Sequence, residues 1–99
     1  MIIHEFSTSL TIAAGSTSTV TLPIYGGLLQ QFLVRANTDT TVFRANLVDS
    51  DGLRRLDYGF STGELNQIGM KFPMVNKYTV NVTNASRVDV VRILLAVQE

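Results

Sequence analysis

The sequence has no cysteine and no tryptophan, a single histidine and two prolines. Without cysteine no disulfide can staple the fold, and no thiolate is available to bind a metal or attack a substrate. With His4 as the sole imidazole, a zinc centre lacks its usual set of nitrogen and sulfur ligands. Eight basic and eight acidic side chains cancel at pH 7. A neutral chain carries no electrostatic footprint for a phosphate backbone, so nucleic acid is not expected as a partner. The same neutrality removes self-repulsion and favours association. No apolar run approaches the roughly 20 residues of a membrane helix, so no membrane partner is expected either. The opening Met1-Ile2-Ile3-His4-Glu5-Phe6 lacks the basic and continuous apolar regions of a signal peptide. The chain is expected to be a complete gene product.

What the sequence has in quantity is Val, Ile and Thr, together over a quarter of the 99 residues. These β-branched types suit the pleated, half-buried surface of a strand. Ile2, His4, Phe6, Thr8, Leu10 and Ile12 share one parity, a period of two that reads as a strand or two half-strands. Val20, Leu22 and Ile24 alternate in a second strand, where Pro23 marks an edge or an exit. Tyr25-Gly26-Gly27 breaks the chain before a third strand, Leu28 to Asn37, whose apolar middle reads as central. Phe43, Ala45 and Leu47 face the core on a fourth strand, with Arg44 and Asn46 outward. Asp49-Ser50-Asp51-Gly52 is a hairpin signal, because Asp and Gly accept positive φ. Leu53 to Tyr58 follows as a fifth strand, and Tyr78, Val80 and Val82 alternate in another. In the last strand the apolar parity changes at Val90-Val91, as a β-bulge or a strand covered on both sides would produce. The expectation is one all-β domain over residues 1–99. It is a single antiparallel β-sandwich of about seven to eight strands, with jelly-roll and immunoglobulin-like arrangements both open. A domain of this size buries only roughly 60–65% of its unfolded surface, so its core is modest.

Gly59 to Lys77 reads as a long connection, and structureless loops beyond about 12–15 residues are often functional. This one is apolar, with Phe60, Leu65, Ile68, Met70, Phe72 and Met74 between glycines and Pro73. One reading hides a short strand at Gln67 to Phe72; the other buries part of the segment against a second chain. The candidate interface residues are therefore Phe60, Leu65, Ile68, Met70, Phe72 and Met74. Ile2, Ile3 and Phe6 of the open first strand join them, since that strand can add to a neighbour's sheet edge.

Residues that carry chemistry are few. His4 on an apolar strand face reads as a packing residue. Asp49, Asp51 and Gly52 begin like a calcium loop, but position 60 is Phe where the loop needs Glu, so the hairpin reading prevails. Arg54 and Arg55 beside Asp49, Asp51 and Asp57 form a mixed charge cluster at the hairpin tip. Asn81-Val82-Thr83 and Asn84-Ala85-Ser86 match the glycosylation pattern by chance. Exposed aromatics that would stack sugar rings are reduced to Tyr25, Tyr58 and Tyr78, and Tyr78 is in phase with buried valines. No catalytic, cofactor or metal residue is assigned, and the protein is not expected to be an enzyme.

Thr11-Ile12-Ala13-Ala14-Gly15 leads to Thr19-Val20-Thr21-Leu22-Pro23, then to paired glycines, a central strand, the Asp51-Gly52 hairpin and a closing pair joined at Asn84-Ala85-Ser86. This layout resembles small β-sandwich structural proteins of tailed bacteriophage virions, above all capsid decoration (cement) proteins. The resemblance covers most of the chain and is one of layout. It implies manufacture in the host cytoplasm, a place on the capsid surface, the major capsid protein as partner and self-association, most often as a homotrimer. The alternatives from other classes are a phage neck or tail component, a carbohydrate-binding or adhesin-like module, and a small hydrolase or isomerase using His4.

Overall fold

In the computed structural model, residues 2–22, 26–75, 77–83 and 85–99 are described, with Val75 as backbone only. Eight strands follow in chain order: β1 (Ile3–Ile12), β2 (Ser18–Thr21), β3 (Gly26–Ala36), β4 (Val42–Val48), β5 (Arg54–Thr62), β6 (Glu64–Val75), β7 (Thr79–Thr83) and β8 (Asp89–Gln98). They form two four-stranded antiparallel sheets, ordered β1-β8-β3-β6 and β2-β7-β4-β5. First pairs with last, second with seventh, third with sixth, and fourth with fifth. That is the pairing scheme of a jelly roll. The immunoglobulin order would keep the first two strands in one sheet.

Alternation explains most of the packing. Val91, Ile93, Leu95 and Val97 of β8 and Leu29, Phe32 and Val34 of β3 are fully buried from one sheet. Phe43, Ala45, Leu47, Val80 and Val82 are fully buried from the other, and all belong to one core cluster. Each of these side chains larger than Ala45 contributes roughly 1.5–3 kcal/mol of burial. Phe32 of β3 meets Tyr58 of β5 across the two layers, with ring centroids 6.1 Å apart.

The stretch expected as a connection from Gly59 to Lys77 instead holds the end of β5 and all of β6. β6 hid because its parity inverts. Between Leu29 and Gln31 of β3 lies one residue, whereas between their partners Phe72 and Ile68 on β6 lie three. Two extra residues on β6 alone would keep its parity, but β3 also carries one extra residue against β8, where Leu29 and Gln31 oppose Val97 and Ala96. Both strands therefore change parity here: Leu65 points inward before the irregularity, and Met74 points inward after it at the opposite parity. The strand also runs well beyond the expected Gln67 to Phe72.

Two further expectations change. The Val90-Val91 phase change is not a bulge, because β1 and β8 keep one register from Ile3 opposite Gln98 to Ile12 opposite Asp89. Val88 and Val90 simply face outward, 66% and 44% exposed. Asn46 does point away from the core of β4, yet only 1% of it is exposed. Its Oδ1 has no hydrogen-bond partner among the described residues. The expected positions of Pro23, Ile24 and Tyr25 lie outside the described residues.

Turns are held by named contacts. Asp49 Oδ1 accepts from the backbone N–H of Asp51 (2.9 Å) and Leu53 (3.0 Å), which builds the expected β4–β5 hairpin. Asp89 fastens the turn before β4: Oδ2 accepts from Thr38 N–H (3.0 Å) and Thr41 Oγ1–H (2.7 Å). Those donors, with the Val90 N–H, hold the Asp89 carboxyl below the usual carboxylate range.

Candidate assembly surface

The nine candidate interface residues separate into three groups. Leu65 and Met74 are 6% and 3% exposed and belong to the chain's own core, so neither can meet a partner in the folded chain. Phe6, Met70 and Phe72 are half-buried and pack against that core. Ile2, Ile3, Phe60 and Ile68 are 60%, 52%, 62% and 69% exposed. Ile3 lies on β1 and Ile68 on β6, the two edge strands of one sheet.

Phe60 is exposed for a local reason. Opposite Ala45 of β4 the partner strand β5 supplies two residues, Tyr58 and Gly59, between paired Asp57 and Phe60. Gly59 takes φ 71°, the left-handed conformation of such a bulge. Tyr58 turns inward against Phe32, and Phe60 is re-aimed outward. The Arg44 guanidinium lies 6.0 Å from the Phe60 ring centroid. Arg44 also grips Asp57 with two hydrogen bonds, Nε to Oδ1 (3.1 Å) and Nη2 to Oδ2 (2.6 Å). That pairing holds the Asp57 carboxyl below its usual range and raises the Arg44 guanidinium, while desolvation opposes both shifts. Arg54 stands 3.5 Å from Asp57 and Arg55 3.7 Å from Asp49. The hairpin charge cluster is therefore largely paired within the chain, as exposed bridges worth little to stability.

His4 Nε2 lies 2.5 Å from Glu99 Oε2, so the single histidine has a carboxylate partner on the neighbouring strand end. Both side chains are exposed. No group of three or more His, Cys, Asp or Glu side chains capable of holding a metal occurs among the described residues. Of the three tyrosines, Tyr78 is 3% exposed, and Tyr58 is half-buried, with its phenol pushed up by burial. Tyr25 lies outside the described residues. Asn81 is half-buried on β7, and Asn84 also lies outside the described residues.

Sequence reasoning missed the outer face of the β1-β8-β3-β6 sheet. There Leu33 and Leu94 sit side by side, as do Arg35 and Arg92. These pairs join residues far apart in sequence, and only the register of β3 against β8 reveals them. No protein-family model matches this chain, and no curated protein matches it.

Proposed function

We propose that this chain is a structural subunit that works by assembly: a capsid decoration protein of a tailed bacteriophage. It associates with copies of itself, as a trimer by the resemblance, and binds the major capsid protein to reinforce the shell on the virion surface. The observation that carries the reading is the set of large apolar side chains left outside the core. Ile3 and Ile68 stand on opposite edge strands of one sheet, with Ile2 beside the first, and Phe60 stands on the other sheet. Single exposed apolar residues are ordinary, but apolar groups on open sheet edges mark places where another chain can add. Burial between subunits would supplement the modest core of a 99-residue domain.

The test is co-sedimentation of the purified protein with capsids that lack their outer proteins, alongside its solution mass from light scattering. Saturable binding to shells and a defined oligomer are expected. A monomer at high concentration that leaves capsids bare refutes the reading. Binding to isolated tails in place of capsids would move the protein to the neck or tail. A glycan array is expected to stay blank, because neither described tyrosine offers an exposed ring.

A further inference from the structure

The outer face of the β1-β8-β3-β6 sheet is banded. Its central row carries Leu94 beside Leu33, both half-buried by their sheet neighbours. On one side of that row lies Arg92 directly opposite Arg35. On the other side lies Ala96 opposite Gln31, with Glu5 next to Ala96 on β1. Like charges placed directly across two strands destabilise a sheet. Arg35 has no ion pair or hydrogen bond among the described residues, although Glu64 is its register partner on β6. Among the described residues Arg92 donates only a long hydrogen bond, 3.4 Å, to Ser7 Oγ. The two arginines line a depression of about 380 Å³ with Ser9 and Asn37. Glu5 is exposed and has no ion pair among the described residues.

We propose that this face is a two-fold contact between two copies of the chain, with Leu33 and Leu94 on the axis and Glu5 of each copy entering the Arg35–Arg92 depression of the other. The inference rests on the assembly reading above, and it makes the self-association a pair in place of the trimer that the resemblance implies. A two-fold axis running across the strands at the leucine row exchanges the rows on either side of it. The arginine row of one copy then faces the Ala96 row of the other, where Glu5 lies one strand away, about 5 Å. An axis parallel to the strands would instead set Arg92 over Arg35 of the second copy, so the charges choose between the two. The carboxylate relieves the repulsion that each copy carries alone, and its hydrogen bonds to guanidinium are of the strong, charge-assisted kind. Four strands of about ten residues present a flat area of roughly 600 Å². With side-chain relief this reaches the class of about 800 Å² per partner typical of stable pairs.

Charge exchange tests the contact. Sedimentation velocity over a wide concentration range is expected to show a dimer that weakens with added salt. Arg92→Glu alone and Glu5→Arg alone should each weaken dimerisation at least about tenfold. Both single variants should melt within a few degrees of the unaltered chain in their monomeric range. Mixing the two single variants, or combining both changes in one chain, should restore the dimer. Failure of both rescues overturns the contact. A trimer that ignores these substitutions overturns the two-fold surface but leaves the assembly reading standing. A monomer at every concentration overturns both.

Discussion

Leu65 and Ile68 are three residues apart on the same strand, and the structure sets them on opposite sides of it. Leu65 is 6% exposed and pairs in register with Val34, itself fully buried. Ile68 is 69% exposed and pairs with Gln31. Truncating a buried leucine to alanine costs about 2–5 kcal/mol. β6 is an edge strand, where the surroundings can partly close the cavity, so Leu65→Ala should cost about 2–3 kcal/mol. In a domain of this size each kcal/mol moves Tm by roughly 4–8 °C, so the melting point should fall by about 10–20 °C. Ile68→Ala removes side chain that is mostly in water and should stay within about 0.5 kcal/mol, under roughly 4 °C. The assay is thermal unfolding by circular dichroism, at concentrations where scattering shows a monomer. A large loss for Ile68→Ala with none for Leu65→Ala would refute the register of β6, because a one-residue slip exchanges the two faces of a strand. Equal losses would mean that both residues are core. Ile68→Asp, by contrast, should act on association and capsid binding while leaving the monomer's Tm nearly unchanged.

Gly63 joins β5 to β6 at φ 76°, and a Cβ there would lie 2.6 Å from the Asp39 carbonyl oxygen. That backbone is fixed by Gly63 N–H to Thr41 O and Ala36 N–H to Gly63 O, both 2.8 Å. Gly63→Ala should therefore cost about 3 kcal/mol or more in chemical denaturation, the sum of left-handed strain and an overlap that cannot relax. The depressed Asp89 carboxyl contributes stability that is present above the ordinary carboxylate range and lost as pH falls through its lowered value. Tm should hold at neutral pH and decline below about pH 4. Asp89→Asn should lower Tm at pH 7 and flatten the acid decline; an unchanged pH profile would count against the turn lock. Arg44→Ala frees Asp57 and removes the cation beside Phe60, so an Asp57 titration followed by NMR should move up toward the usual carboxylate range.

The fold was legible wherever a strand carries no inserted residue of its own, even where its partner strand does. Val80 and Val82, Phe43 to Leu47, and Val91 to Val97 alternate without interruption, and each set is buried as its parity demands. The Asp49 hairpin was legible because its signal is local: one carboxylate oxygen serving two nearby backbone N–H groups. Three features escaped, for related reasons. The irregularity within β6 inverts parity, so Leu65 and Met74 read as stray apolar residues of a loop and became interface candidates. Gly59 marked a break in the sequence, but its bulge both continues β5 and turns Phe60 to solvent. Asp89 carried no signal in the sequence, because its donors Thr38 and Thr41 lie 51 and 48 residues away. Each depends on which residue of another strand lies opposite, and no alternation within a single strand encodes that. The same limit applies to the surface. Arg35 and Arg92 are unremarkable charges in sequence, and only the β3–β8 register makes them a like-charged pair. The first strand pairs with the last, so the most informative juxtapositions in this chain are also its most distant ones.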